Sequence, residues 1–413
     1  MRILLVSNLF PPEFIGGYEL ICAALARLLA AAGHEIVVAT SPLINHAEEL
    51  PDEGYRIERC LSYVGLHHEK IEPERRLIRG TFIDLGNVAA MERLISSFAP
   101  DRVLLGNVAG LGAYGMVVLT HSLGYTPVLY MADNVFDGAS LDTGTHDEFR
   151  RMFATSEALA DLRVMAVSTR VLEEARNTVE HPLGQVIYLP GWFSPSPALD
   201  PAPGNPDLLR CVFSSRVAPH KGVHVLRDAV CMLRDRGETG FSVDVYGGGQ
   251  APEFLQRAHA AGVGGFFRYH GAVSRDQMLR DFSQYDTLLF PTWEREPLGL
   301  VPFEAGAQGC IPIMTGGAGA SEWLIDGADC LKIERDPASL AGAIQQLMHM
   351  PVAERDRMRT KVRQRIRALF GEDAWFPRIE QFLTGAERRF VPTPQQSRNI
   401  QVALFAITRV WKG

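Results

Sequence analysis

The feature of this sequence that most constrains its fold is a strand, loop, helix and strand pattern that occurs twice. Near the start, the apolar run Arg2 to Val6 leads through a loop to a helical pattern from about Tyr18 to Ala32, and then to a second apolar run, His34 to Ala39. The same order begins again with the run Leu209 to Phe213 and reaches Phe241 to Tyr246. Strands that alternate with helices are typical of a doubly wound parallel sheet. We therefore predict an α/β chain with two such sheets.

A Pro-rich segment separates the two halves. Residues 194–207 contain repeated Pro together with Gly204, a composition typical of a linker. The length of 413 residues is enough for two or three domains, each with its own core. We predict a first domain over residues 1–193, the linker 194–207, a second domain over 208–372, and a C-terminal helical segment over 373–413.

Composition excludes several classes of protein. The formal net charge of −7 argues against a nucleic-acid partner, because binding to phosphate backbones requires a basic face. The six cysteines are scattered and form no Cys-x-x-Cys pair, which favours reduced thiols in a cytoplasmic protein over disulfides or zinc. No apolar run approaches membrane-spanning length, so we expect a soluble or at most peripheral protein.

Two glutamates bracket a predicted turn in the second half. The apolar run Thr287 to Pro291 reads as a buried strand, and the segment after it reads as a loop followed by a helix. Glu296 would lie in the loop and Glu304 inside the helix, so both can face the carboxyl end of the strand. Between them, the amides from Gly299 to Val301 would lie at a helix N-terminus, which favours an anion such as a phosphate. A phosphate site between two carboxylates that bind hydroxyls suits a sugar nucleotide.

The sequence Glu296-Pro297-Leu298-Gly299-Leu300, with Glu304, resembles the Glu-x7-Glu motif of retaining glycosyltransferases of family 4. The resemblance implies a GT-B fold, in which two Rossmann-like doubly wound domains face a central cleft. It also implies that the C-terminal segment 373–413 returns toward the first domain. The loop Ser215 to Gly222 resembles the Gly-Arg-Leu-x-x-x-Lys-Gly segment of that family. Arg216 and Lys221 match its two diphosphate-binding cations, and Ser215 replaces the usual Gly. Taken alone, the loop is also compatible with a surface Arg and Lys that flank a turn.

The resemblance also implies roles for individual residues. Glu304 would bind the ribose hydroxyls, and Glu296 would bind the sugar hydroxyls. Gly17 would lie by the phosphates, although Gly16 and Gly17 are also compatible with a plain turn at a helix start. Other residues expected to contact the nucleotide or the sugar through backbone groups are Gly247, Val273, Leu298, Gly299, Leu300 and Val301.

The first half departs from the family at the end of the apolar run Pro127 to Met131. A His-Asp pair often stands at this strand end in the family, and Ala132 occupies the position of the His. Asp133 is retained, and it can accept a proton from an acceptor hydroxyl or bind that hydroxyl. It can equally cap a turn with Asn134. Both interpretations remain open.

The activity implied is transfer of a sugar from a nucleoside-diphosphate sugar to a hydroxyl of a glycan, a lipid or a small molecule. No Asp-x-Asp pair is present, so we expect no metal and no other cofactor. Two alternatives remain, a sugar-nucleotide epimerase of GT-B architecture and a non-catalytic protein that binds sugar nucleotides or glycans; Ala132 favours the second. The basic amphipathic segment 387–413 is compatible with contact to an anionic membrane surface or with packing on the protein.

Overall fold

The computed structural model describes residues 1–43, 54–64, 85–136, 159–179, 183–191 and 199–385. The chain divides into two compact units. One unit combines Met1–Trp192 with Phe376–Gly413, and the other is Phe193–Trp375.

The first unit is built on a seven-stranded parallel sheet with the strand order β3-β2-β1-β4-β5-β6-β7. Its strands are β1 Arg2–Val6, β2 Glu35–Thr40, β3 Arg56–Arg59, β4 Arg102–Leu105, β5 Val128–Met131, β6 Arg163–Ala166 and β7 Val186–Tyr188. The helices that follow strands are α1 Gly17–Ala31, α2 Leu85–Phe98, α3 Ala113–Ser122 and α4 Thr169–Val179. The central strands are uninterrupted apolar runs because both faces of a parallel sheet are covered. The strand order reverses between β1 and β4, which is where an open parallel sheet can hold a ligand.

The second unit is built on a six-stranded parallel sheet with the order β10-β9-β8-β11-β12-β13. Its strands are β8 Leu209–Ser214, β9 Phe241–Tyr246, β10 Phe267–Gly271, β11 Thr287–Phe290, β12 Ile311–Thr315 and β13 Leu331–Ile333. Its helices are α5 Val223–Asp235, α6 Ala251–Ala260, α7 Arg275–Asp281, α8 Val301–Ala307, α9 Pro337–His349 and α10 Val352–Phe370. The order reverses between β8 and β11, so the loops after these two strands flank the reversal point.

Residues 199–207, the described part of the predicted linker, are bound along α10. Three arginines spaced four residues apart donate side-chain hydrogen bonds to successive carbonyls of this segment: Arg363 to Leu199, Arg359 to Ala202 and Arg355 to Asn205, at 3.1, 2.8 and 2.6 Å. Residues at this spacing share one face of a helix. The Pro-rich segment is therefore held along α10 by three arginine side chains that donate to its carbonyls.

A last helix, α11 Glu372–Thr384, contributes its final turns to the first unit. The side chain of Arg102 donates to the carbonyls of Leu383 and Thr384 at 3.0 and 3.1 Å, and Arg163 donates to that of Gly385 at 2.7 Å. These arginines satisfy carbonyls that have no partner at a helix C-terminus. The predicted basic segment 387–413 lies outside the described residues.

The architecture confirms the predicted fold class of two Rossmann-like, doubly wound domains. The strand predicted at Phe241–Tyr246 has those same bounds in the structure. Helix α3 was not predicted from the sequence, because its apolar residues surround the helix and give no amphipathic periodicity. Within the described ranges, no helix is both long enough and apolar enough to cross a membrane.

Candidate functional site

The predicted site residues of the second unit gather at the carboxyl ends of β8 and β11. These strands are neighbours in the sheet, paired in parallel through Thr287 with Cys211 and Leu288 with Val212. The loop after β8 carries Arg216 and Lys221, and the segment after β11 carries Glu296 and leads into α8. The reversal of strand order therefore brings together two segments that are about 75 residues apart in the sequence.

The loop after β8 packs its backbone directly on the end of β11. A 3₁₀ turn, Pro219–Lys221, ends at Gly222, which has a φ of 80°. A Cβ atom on Gly222 would lie 1.8 Å from the carbonyl oxygen of Pro291, so only glycine permits this approach. The amide of Trp293 also donates to the carbonyl of His220 at 2.9 Å. These contacts fix the position of Lys221 beside the segment that follows β11.

Lys221 forms an ion pair with Glu296 through Oε2 of the carboxylate. Both side chains are mostly buried, with exposed fractions of 14% and 13%. The same Oε2 accepts a hydrogen bond of 2.8 Å from the hydroxyl of Thr292, a fully buried residue just past the end of β11. The structure thus brings one predicted phosphate-binding cation into contact with the predicted sugar-binding carboxylate.

Arg216 differs from Lys221 in its surroundings. Its side chain is exposed, and it forms no hydrogen bond or ion pair with any described residue. An exposed guanidinium presents several N–H donors in a planar fork that matches phosphate oxygens. Arg216 is therefore available to bind an anionic ligand without breaking a contact within the protein.

The turn between the two glutamates presents unused amide groups. Helix α8 begins at Val301 with Leu300 as its N-cap, and Pro302, which has no N–H, occupies its first turn. Across the described chain, the amides of Gly299, Leu300 and Val301 find no hydrogen-bond acceptor. These N–H groups and the positive end of the helix dipole favour a bound anion.

Glu304 lies in the first turn of α8 and is held by an arginine from another helix. Its Oε1 accepts a hydrogen bond of 2.7 Å from Nε of Arg275, the first residue of α7. Ser274 caps this helix by accepting a hydrogen bond from the amide of Gln277, which fixes the backbone from which Arg275 extends. The Glu304 side chain is 11% exposed and that of Arg275 is 42% exposed.

Two further loops border this region. Gly247 follows β9 with a φ of 129°, and a Cβ atom there would lie 1.9 Å from the carbonyl oxygen of Ser215. Its amide donates to the carbonyl of Gly271 at 2.8 Å, so the loops after β8, β9 and β10 are in backbone contact. Val273, two residues past β10, is 38% exposed. The predicted nucleotide-binding residues of the second unit therefore occupy adjacent loops at one edge of the sheet.

His220 lies between the two cations in sequence and was not predicted as a site residue. Its ring packs edge-to-face on that of Trp293, with centroids 5.6 Å apart. Burial lowers the pKa of His220 below its ordinary value, and the positive charges of Lys221 and Arg216 lower it further. The imidazole is therefore mostly uncharged at neutral pH.

In the first unit, Gly17 is the first residue of α1, and Gly16 is the N-cap. The buried carboxylate of Glu19 accepts hydrogen bonds from the amide of Gly16 and from Nδ2 of Asn107, both at 2.9 Å. Asn107 follows β4, so Glu19 ties the loop after β1 to the loop after β4 at the reversal point of this sheet. The Gly16 amide is thereby occupied by Glu19, a residue that the sequence did not identify.

Asp133 is exposed at the carboxyl end of β5. Its Oδ1 accepts a hydrogen bond of 2.8 Å from the amide of Asn134, and Oδ1 of Asn134 accepts one of 3.1 Å from the amide of Phe136. The turn contact expected from the second interpretation is therefore present. The acid–base role of Asp133 stays a prediction. Within the described ranges of the chain, no group of three or more His, Cys, Asp or Glu side chains is arranged to hold a metal ion.

Comparison with known proteins relates the second unit to a family of glycosyltransferases. Residues 202–365 match the family model described as Glycosyl transferases group 1. Two relatives from Mycobacterium tuberculosis are each 25% identical to the chain. One is a GDP-mannose-dependent alpha-(1-6)-phosphatidylinositol monomannoside mannosyltransferase, matched over 78% of this chain and 81% of the relative. The other is a glycogen synthase, matched over 90% and 91%.

Solved structures extend the likeness to both units. The sucrose-phosphate synthase of Thermosynechococcus elongatus superposes with a TM-score of 0.69 over 94% of this chain and 100% of that chain, at 17% sequence identity. At that identity the match supports the fold, whereas the family match and the two relatives support the activity. Residues 202–365 thus match the glycosyl transferases group 1 family model, and the chain is a glycosyltransferase with the GT-B fold.

Proposed function

We propose that this glycosyltransferase moves a sugar from a nucleoside-diphosphate sugar to an acceptor hydroxyl, with retention at the anomeric carbon and without a metal ion. The observation that carries this proposal is the grouping of Lys221, Arg216 and the unused amides of residues 299–301 at the ends of β8 and β11. All of these groups donate hydrogen bonds, and together they supply positive potential for a diphosphate.

Cleavage of the donor develops negative charge on the phosphate that leaves the sugar. Fixed cations and amides stabilise that charge more than they stabilise the intact donor, and this difference accelerates the reaction. Lys221 and Arg216 would take the part that a divalent cation plays in metal-dependent enzymes. Glu296 and Glu304, whose carboxylates each keep one oxygen unused by described residues, would accept hydrogen bonds from sugar and ribose hydroxyls.

Among the described residues of the expected site, no carboxylate is suitably placed as a nucleophile, and this supports the proposed stereochemical course. Both glutamates are engaged by cations, so a double displacement through a glycosyl-enzyme is not supported. We propose attack from the face on which the phosphate departs. The bond between the anomeric carbon and the phosphate oxygen breaks, the acceptor oxygen bonds to that carbon, and the acceptor proton passes to the leaving phosphate. Asp133 would bind the acceptor hydroxyl.

The test begins by measuring the binding of UDP, GDP, ADP and TDP as a rise in the Tm of the protein during thermal denaturation. The diphosphate that raises Tm most is then offered as its sugar nucleotides, with GDP-mannose included because one relative depends on it. We expect transfer to added acceptors or slow hydrolysis, both unaffected by EDTA, with retained configuration in the product by NMR. Conversion of the donor into a different sugar nucleotide without an acceptor would instead indicate an epimerase. Binding with neither transfer nor hydrolysis would indicate a non-catalytic protein.

A further inference from the structure

The two donor-binding glutamates share an arrangement that their assigned roles do not explain. In each carboxylate, one oxygen is engaged by protein donors. Oε2 of Glu296 accepts from both Lys221 and Thr292, and Oε1 of Glu304 accepts from Arg275. The second oxygen, Oε1 of Glu296 and Oε2 of Glu304, contacts no hydrogen-bond donor in the part of the chain that the structure describes. Each glutamate therefore presents one oxygen to the protein and one to a ligand.

We propose that Thr292 and Arg275 are positioning residues that orient Glu296 and Glu304, respectively, so that the remaining carboxylate oxygen of each accepts a ligand hydroxyl. The assignment of what each glutamate contacts, the sugar for Glu296 and the ribose for Glu304, rests on the proposed function. Because both outward oxygens only accept hydrogen bonds, the groups opposite them must donate. The donor must therefore carry unmodified hydroxyls at both contacts.

Thr292 is well suited to hold a carboxylate in one orientation. Its side chain is β-branched and fully buried, and such side chains have few accessible rotamers. Its own carbonyl accepts a hydrogen bond of 2.8 Å from the hydroxyl of Thr315, on the neighbouring strand β12. The Thr292 hydroxyl therefore occupies a fixed position from which it donates to Glu296.

The contribution of Thr292 is distinct from that of Lys221. A lysine ammonium is a point charge on a flexible stem, and a bound diphosphate competes with Glu296 for it. The threonine hydroxyl is too short and too buried to follow the diphosphate. When Lys221 turns toward the phosphates, the bond from Thr292 is the contact that keeps Glu296 in place.

Arg275 connects two segments of the nucleotide region. It begins α7, two residues after Val273 in the loop expected to contact the base, and it donates to Glu304 on α8. The bond thus links the helix that follows β10 to the helix that follows β11. In a variant without this bond, the Glu304 side chain can adopt other rotamers. Misalignment of a binding group in the reacting complex can lower the reaction rate about a hundredfold.

Substitutions of Thr292 and Arg275 should affect different measurements, turnover of the sugar nucleotide for Thr292 and affinity for the free diphosphate for Arg275. Thr292→Val removes the hydroxyl and keeps the shape, so we expect kcat/KM for the sugar nucleotide to fall about 10- to 100-fold. Affinity for the free nucleoside diphosphate, which has no sugar, should stay within about twofold of the unmodified protein. Thr292→Ser retains a hydroxyl and should recover most of the activity. Arg275→Gln should instead weaken binding of the free diphosphate about tenfold.

Matched controls separate these effects from general destabilisation. Thr287 lies at the other end of β11, is equally buried, and donates a hydrogen bond of the same 2.8 Å length to the carbonyl of Ile311. Thr287→Val should therefore change stability without the selective loss of sugar-nucleotide turnover. Arg280, on the same helix as Arg275, bonds to Gln277, so Arg280→Gln removes the same charge without touching Glu304.

The deciding measurements are calorimetric affinity for the best-binding diphosphate among UDP, GDP and ADP, affinity for its 2′,3′-dideoxy form, and steady-state kinetics. If Arg275 acts through Glu304, Arg275→Gln should cost little affinity for the dideoxy form. Equal losses for both forms would overturn the role of Arg275, and identical kinetics for Thr292→Val and Thr287→Val would overturn that of Thr292. Failure of the unmodified protein to bind any nucleoside diphosphate would refute the proposed function itself.

Discussion

Replacement of Lys221 by Ala tests the donor site and the ion pair at the same time. The substitution leaves the Glu296 carboxylate, whose side chain is only 13% exposed, with Thr292 as its remaining partner. Leaving a mostly buried charged group with an incomplete set of partners costs about 1–3 kcal/mol. The retained bond from Thr292 places the expected loss near the middle of that range, at about 2 kcal/mol. For a unit of this size, this corresponds to a fall in Tm of about 4–8 °C.

The effect on transfer should be much larger than the effect on stability. Loss of one preorganised group that stabilises developing charge typically lowers kcat about 100- to 1,000-fold. Arg216→Ala is the informative comparison, because Arg216 is exposed and makes no hydrogen bond or ion pair with the described residues. We expect Arg216→Ala to reduce transfer by a similar factor while Tm stays nearly unchanged, as is usual for exposed positions.

The double variant Lys221→Ala, Glu296→Ala separates the two roles of Lys221. Removing the carboxylate together with its cation eliminates the uncompensated charge, so much of the lost stability should return. Transfer should not return, because the diphosphate still lacks the cation and the sugar lacks Glu296. The assay is a calorimetric Tm for each variant together with initial rates at saturating donor. Full activity in Lys221→Ala, or recovered transfer in the double variant, would refute the proposed site.

Three further predictions concern packing, pH and the first unit. Gly247→Ala places a Cβ atom 1.9 Å from the carbonyl oxygen of Ser215, so Tm should fall by several degrees, whereas Gly248→Ala meets no atom within 4 Å and should be tolerated in the same melting assay. Because burial and neighbouring cations depress the pKa of His220, the unfolded chain binds more protons there, so stability should fall as the pH drops below about 6.5, less steeply in His220→Gln, as melting curves at several pH values would show. Asp133→Asn keeps an oxygen to accept from the Asn134 amide, so a loss of transfer of a hundredfold or more, with unchanged diphosphate affinity, would support the acid–base role over the turn role.

A candidate donor site could be proposed from the sequence because the residues expected to form it are concentrated in two short segments. The spacing of Arg216 and Lys221, and that of Glu296 and Glu304, predicted a loop and a helix start that the structure places on neighbouring strands. The strands could also be predicted from the sequence, since strands buried on both faces are continuous apolar stretches bounded by glycine and polar residues.

The residues that orient the site were not predicted, for a physical reason. Arg275 and Glu304 are 29 positions apart, and Lys221 and Glu296 are 75 positions apart, so their contacts depend on strand order and helix placement. Thr292 is close to Glu296 in sequence, but a threonine at the end of an apolar run is unremarkable until the direction of its hydroxyl is known. Glu19 resembled an ordinary first-turn carboxylate, and only its bond to Asn107 reveals that it joins two loops.

The distinction between residues expected to contact the donor and residues that orient them suggests where substitutions could alter donor selectivity. The groups expected to contact phosphate are the side chains of Arg216 and Lys221 and the amides of residues 299–301, none of which would distinguish one nucleoside diphosphate from another. The groups expected to contact hydroxyls depend on Thr292 and Arg275, which lie outside the Glu296 to Glu304 turn. A substitution at either position would change the orientation of a glutamate carboxylate and leave the groups expected to bind the diphosphate in place. Donor selectivity should therefore be easier to change at these two positions than at Arg216 and Lys221, where a neutral substitution would remove charge that the proposed reaction requires.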